Sequence, residues 1–510
     1  MRQVKPLRLG LLSCLLSLLP LGTHAQEEEA FQVVRGGCTP ELQAGVDDAR
    51  MTRAPRRILR SYFNRWDASK IYPQMVILME FSDSVFSNDR DYYDRLLNEP
   101  GFSDGKRANG SVADYFRTQS NGQFNPRFDV YGPVRINRAA KVGQETNHGN
   151  DLFHDAAEQL LDSLSIDLSQ YDWDGNGNVD QVIFIYAGLC GNVVGNEGFV
   201  WPSTGSFSTI KSNGYTINYF SASSEKITNK SFSGIGTICH EYSHCFGLPD
   251  IYPTSKNEGY SIVDEWDLMD GGNFTNRGWC PPSYTSLEKM LLGWYTPLEL
   301  TEPTSVVDMK AMTEGGDAYI IHHTNNEYLL LENRQHSGWD SYVPGCGLLI
   351  FHVDYNETDW HNNQVNNMRL QRRFSIVCAD NRTYEGWEAA VPAEDRYTDR
   401  NNCSLYMSTA PYPYVADGVI KDALTETTTP AAVMHTNNAS GSRSLSKPIT
   451  NIRMSEDGLI SFDFMGGTQT GISSISSSKR SIGYYNMQGQ RVDAPGKGIY
   501  IKEGKKVIIK

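Results

Sequence analysis

The chain has 510 residues, 39% of them apolar and 11% aromatic, and a formal charge of −14. That length implies two to four domains rather than one core, and the composition excludes a disordered, collagenous or many-span membrane protein. So acidic a chain has no general electrostatic attraction for nucleic acid or anionic lipid.

Arg2, Lys5 and Arg8 precede an uncharged, leucine-rich stretch from Leu9 to Leu21, and Thr23-His24-Ala25 offers a small residue for cleavage. This is the tripartite secretory pattern, so residues 1–25 read as a signal peptide and the mature protein as secreted or surface-held. A lipoprotein signal ending at Cys14 is the competing reading. Nine cysteines in so long a chain do not make a disulfide scaffold, and their spacing matches no CxxC pattern.

Residues 26–70 are polar, with Arg53, Arg56, Arg57 and Arg60 close together, and read as an N-terminal pro segment. Met75 to Phe81 and Gln181 to Ala187 are apolar almost throughout, as strands buried on both faces would be. Val112 to Arg117 and Leu152 to Leu164 carry helical spacing. The expected fold is an α/β (α+β) domain over 71–300, then a β-rich domain over 301–465 packed upon it. Its strands include Glu327 to Leu331 and Gly347 to Val353. A Gly/Ser/Thr-rich linker (466–481) leads to a small C-terminal β module (482–510).

The informative segment is Ile238-Cys239-His240-Glu241-Tyr242-Ser243-His244-Cys245-Phe246-Gly247-Leu248-Pro249-Asp250. On a helix, His240 and His244 project from one face a turn apart and can share one ion. Glu241 sits beside them, able to reach a water without ligating. Ile238, Tyr242 and Cys245 form an apolar face that would anchor the helix. Gly247 suits a left-handed helix end and Pro249 blocks resumption, so the chain can turn and bring Asp250 back. Two imidazoles and one carboxylate leave a fourth position open, as in a catalytic zinc site. Glu288 is the alternative carboxylate.

This segment resembles the immune inhibitor A-type metallopeptidases, peptidase family M-six, which share the ligand spacing of the metzincins. Further family-like stretches are Phe81-Ser82-Asp83, Ser111 to Phe124, Tyr171 to Gly188, Trp266 to Met269, Leu287 to Trp294 and Leu329 to Asp354. The resemblance implies zinc on His240, His244 and Asp250, Glu241 as general base, and Met269 as a Met-turn beneath the metal. It implies a zinc endopeptidase acting on proteins or peptides. Two rivals stay open, a binding or adhesion protein with a degenerate catalytic domain, and another zinc amide hydrolase such as an exopeptidase.

Asp172, Asp174, Asn176, Asn178 and Asp180, with Gly177 at the sharp turn, look like a calcium loop. Ile183 stands where an EF-hand has its bidentate glutamate, and a polar turn feeding a strand is the plain alternative. Cys38, in Arg35-Gly36-Gly37-Cys38-Thr39-Pro40, could hold a zinc centre latent as a thiolate until the leader is cleaved. The plain alternatives are a disulfide to another cysteine or a disordered leader without contact. Tyr484 to Lys510 resembles the C-terminal modules of secreted Bacteroidetes proteins, including sorting signals read by type nine secretion machinery.

Overall fold

The computed structural model describes residues 66–141, 150–193, 196, 198–255, 258–396 and 401–467. It adds the short stretches 472–473, 484–485, 491–492, 497–502 and 505–509. The expected signal peptide, Cys38, most of the linker and about half of the C-terminal module lie outside these residues. Trp66, expected in the pro segment, is half-buried and packs against the core. Its ring packs against Tyr72, Phe124, Phe246 and Trp294, and its indole N–H donates to the Leu292 carbonyl at 2.9 Å.

The elements of the first half are β1 (Tyr72–Glu80), α1 (Arg90–Asn98), α2 (Val112–Gln119), β2 (Pro126–Arg135) and α3 (Asn150–Ser163). β3 (Val182–Leu189), β4 (Ser203–Ser212), β5 (Tyr215–Thr228), β6 (Ser231–Phe232), α4 (Gly236–Cys245) and α5 (Ser286–Leu291) follow. They build a curled, mostly parallel sheet in the order β2-β1-β3-β5-β4, with β4 running antiparallel to β5 at the edge. Both faces are covered, which explains why β1 lacks polar alternation. Val76 and Leu78 pack with α1, α2 and α4 on one side; Met75, Ile77 and Met79 pack with Phe153, Ala156 and Leu160 of α3 on the other.

The second half contains β7 (Leu298–Glu299), β8 (Thr304–Met309), β9 (Tyr319–His322), β10 (Glu327–Arg334), β11 (Gly347–Asp354) and α6 (Glu357–His361). β12 (Phe374–Ile376), α7 (Tyr384–Ala390), α8 (Cys403–Tyr406), β13 (Tyr414–Ala416), β14 (Val419–Lys421), β15 (Ile449–Met454) and β16 (Ile460–Phe464) complete it. β10 lies at the centre of the sheet β12-β11-β10-β9-β7. Tyr328, Leu330, Leu349 and Phe351 face the core that holds α4, whereas Leu329, Leu331, Leu348 and Ile350 face a second core shared with β8, β15 and β16. One hydrophobic core therefore takes residues from both sides of residue 300. Beyond it, Ile472–Ser473 adds a parallel strand to β8, and four short strands pair among residues 484–509.

Among the described residues no disulfide joins any cysteines. No helix there is long and apolar enough to cross a membrane.

Candidate metal centre

Every residue of α4 is buried. Ile238, Tyr242 and Cys245 enter the main core as their spacing predicts. The opposite side is closed as well: a Cβ on Gly236 would lie 2.0 Å from the Asn273 carbonyl, so only glycine fits where the helix starts. The helix stops at Gly247, whose φ of 95° is open to glycine and strained for other residues.

That reversal returns Asp250 to the two histidines. Its Oδ1 lies 3.2 Å from His240 Nε2 and 3.2 Å from His244 Nε2. Each imidazole is oriented from behind, His240 Nδ1 by the Leu268 carbonyl at 2.8 Å and His244 Nδ1 by the Leu248 carbonyl at 2.7 Å. A carbonyl only accepts, so both Nδ1 atoms carry the hydrogen and the Nε2 lone pairs face inward. Asp250 Oδ1 is buried without a hydrogen-bond donor. Three acceptors thus converge on one point. The two Asp250–histidine separations match the value of about 3.3 Å expected between ligands on tetrahedral zinc, and all three ligand atoms lie within 4.8 Å of one another.

The electrostatics agree. Burial lowers the His244 pKa, but the Asp250 carboxylate more than offsets this and lifts it to about 9. The pocket favours positive charge at this point, either a proton on His244 Nε2 or a metal ion in its place. Two further side chains complete the frame. Asn363 donates from Nδ2 to Asp250 Oδ2 at 2.7 Å and accepts the Asp250 backbone N–H at 2.7 Å. The Tyr252 ring lies 6.3 Å from that of His240 and nearly parallel to it, and burial keeps its phenol protonated.

Glu241 is buried beside the pair. Thr204, on the edge strand β4, donates its hydroxyl to Glu241 Oε2 at 2.9 Å and lies 2.7 Å from the Glu241 carbonyl. Burial raises the Glu241 pKa, and the neighbouring histidines oppose that rise. Met269 is fully buried in a turn whose backbone joins both parts of the site. Leu268 holds His240, and the Met269 carbonyl accepts the Ile251 N–H at 2.8 Å. Glu288 is elsewhere: its Oε2 accepts the Thr285 N–H at 2.7 Å in the cap of α5. Sequence reading missed Thr204, Tyr252 and Asn363. No local motif marks them.

The Asp172 loop lies between Tyr171 and β3. Carboxylate oxygens of Asp172, Asp174 and Asp180 gather within 4.8 Å of one another, a group that could hold a cation. Asp172 also accepts the N–H groups of Asn176 (3.0 Å) and Gly177 (2.8 Å), while Asn176 Oδ1 accepts those of Asn178. Gly177 turns at φ 83°.

Residues 191–292 match the profile of the immune inhibitor A peptidase M6 catalytic domain, and this stretch contains His240, Glu241, His244, Asp250, Met269 and Glu288. Immune inhibitor A of Bacillus thuringiensis subsp. alesti is 25% identical over 267 residues, covering 42% of this chain. The chain spans 38% of that relative's length. Across its HExxH segment the chain is similar to the immune inhibitor A peptidases of family M6, a match that supports a metallopeptidase.

Proposed function

We propose that this chain is a secreted zinc endopeptidase in which His240, His244 and Asp250 hold the metal and Glu241 is the catalytic base. The observation that carries this reading is the meeting of three buried acceptors, one without a donor, beside a buried glutamate. Two imidazole nitrogens and a carboxylate oxygen are the donor set of a hydrolytic zinc site. Zinc held there would polarise a scissile carbonyl and acidify a water.

The remaining work falls to the chain. Thr204 fixes Glu241 Oε2, leaving Oε1 to take a proton from the attacking water. Glu241 then delivers that proton to the leaving amine. Leu268, Leu248 and Asn363 fix the three donors, so the site is arranged before substrate arrives. Met269 supports the loop between them. Turnover of casein separates this reading from that of a binding protein: the zinc-loaded chain should degrade it, and an inert, fully loaded chain would favour binding.

The organisation proposed around this centre is a signal peptide (1–25), a leader (26–70), a catalytic domain (71–300), a β-rich domain (301–465) and a C-terminal sorting-like module (482–510). The leader would keep the enzyme latent through Cys38; Cys38→Ser should then make the uncleaved precursor active, as measured by peptide turnover. Calcium at Asp172, Asp174 and Asp180, with Asn176 and Asn178 nearby, would stabilise the catalytic domain. Calcium in excess should raise the wild-type melting temperature by several degrees, because it binds only the folded loop. Asp174→Ala should abolish that rise in a calorimetric melt, and identical wild-type curves with and without calcium would remove the ion from the account.

A further inference from the structure

A second donor cluster lies at the end of the β10–β11 hairpin. Glu327 pairs with Asp354 and Leu329 with His352 across these strands, so Glu327, His352 and Asp354 share a face. Their neighbours Leu329, Leu331, Leu348 and Ile350 on that face belong to the second core. Polar groups are costly in such a place, yet Glu327, His352 and Asp354 are all buried. The fourth member, His435, arrives from residues 422–448, the long connection between β14 and β15.

We propose that Glu327, His352 and His435 form a second metal site, for a zinc-class divalent ion, that staples this connection onto the β10–β11 hairpin. One ligand atom from each residue lies within 4.8 Å of the other two. His352 Nε2 is 2.8 Å from Glu327 Oε1, and the two imidazole centroids are 4.6 Å apart. His435 is braced from behind: its Nδ1 lies 3.2 Å from Asp354 Oδ2, which Arg373 and Gln371 hold at 2.7 Å each. A carboxylate on one ring nitrogen, presenting the other, is the usual support of a metal-binding histidine. Glu327 Oε2 is braced by the Thr436 N–H at 2.9 Å, and the Thr436 carbonyl by His323 Nε2 at 3.0 Å.

Two imidazoles and a carboxylate favour zinc over calcium or magnesium, which take oxygen ligands. Binding would widen the Glu327–His352 pair by about 0.5 Å, a small side-chain adjustment. The site lies outside the α4 centre and its role is to fasten the fold. A metal closing so long a connection would stabilise the folded chain by linkage.

The test is zinc content in the full chain, stripped with chelator, reloaded with zinc in calcium-containing buffer and freed of excess metal. Wild type should hold about two zinc ions, His435→Gln about one, and His240→Ala/His244→Ala about one. Wild type holding a single zinc that disappears from His240→Ala/His244→Ala would overturn the proposal. Unchanged content in His435→Gln would overturn it equally. Loss of the α4 centre alone would show instead as equal content in wild type and His240→Ala/His244→Ala. Should His435→Gln fail to fold, the melting temperature of stripped His240→Ala/His244→Ala decides. Added zinc should raise it by about 5 °C; a flat response means that the cluster is hydrogen-bonded only.

Discussion

Glu241→Gln should lower kcat on an internal peptide bond by about 10²–10⁴-fold, which is about 3–5 kcal/mol of barrier, while zinc content and melting temperature stay near wild type. The size of the effect follows from position. Glu241 is a buried carboxylate beside the His240/His244 pair but outside the three atoms that converge, and a hydroxyl from β4 holds it in place. An amide of the same shape fills the same space and cannot accept the proton. Normal turnover by a fully loaded Glu241→Gln chain would assign the proton transfer to another group.

Asp250→Ala should weaken zinc binding by more than the roughly 10–100-fold expected for removing a supporting residue, and abolish turnover with it. Its Oδ1 is the atom equidistant from both imidazoles, and Glu288, the alternative carboxylate, is committed to the cap of α5. Asn363→Ala should give the milder effect, a loss of about 10–100-fold in zinc affinity with residual turnover at saturating metal. Asn363 touches Asp250 twice and neither histidine in the contacts above. Competition with a chromogenic chelator measures both variants. Equal affinities in wild type and Asp250→Ala would exclude Asp250 as a ligand.

What sequence revealed of this centre is what lies on one helix and its exit. His240 and His244 are four apart, Gly247 takes the left-handed turn, and Ile238, Tyr242 and Cys245 anchor the helix. Those features are local, and local spacing carries them. The rest depends on chain brought from far away. Thr204 acts from an edge strand and Asn363 from the segment after α6, over a hundred residues beyond Asp250. No periodicity connects such positions.

The same limit applies to the fold. β1 and β3 were legible because burial on both faces leaves an unbroken apolar run. β10 is as deeply buried, yet it carries Glu327, Glu332, Asn333 and Arg334. Arg334 forms ion pairs with Glu332 at 3.0 Å and Asp340 at 2.9 Å, so its charge is paired inside the protein rather than solvated. Sequence marks such a strand and hides that it separates two cores. Trp66 was hidden for a related reason: its partners Phe124, Phe246 and Trp294 come from three separate segments.

The most direct test of a metal-dependent endopeptidase is mass spectrometry of the products from a peptide blocked at both ends. The zinc-loaded chain should cut an internal bond, the chelator-stripped chain should not, and zinc added back should restore the same cut. Cleavage that persists at the same rate in the stripped chain, with zinc absent by elemental analysis, would contradict the account.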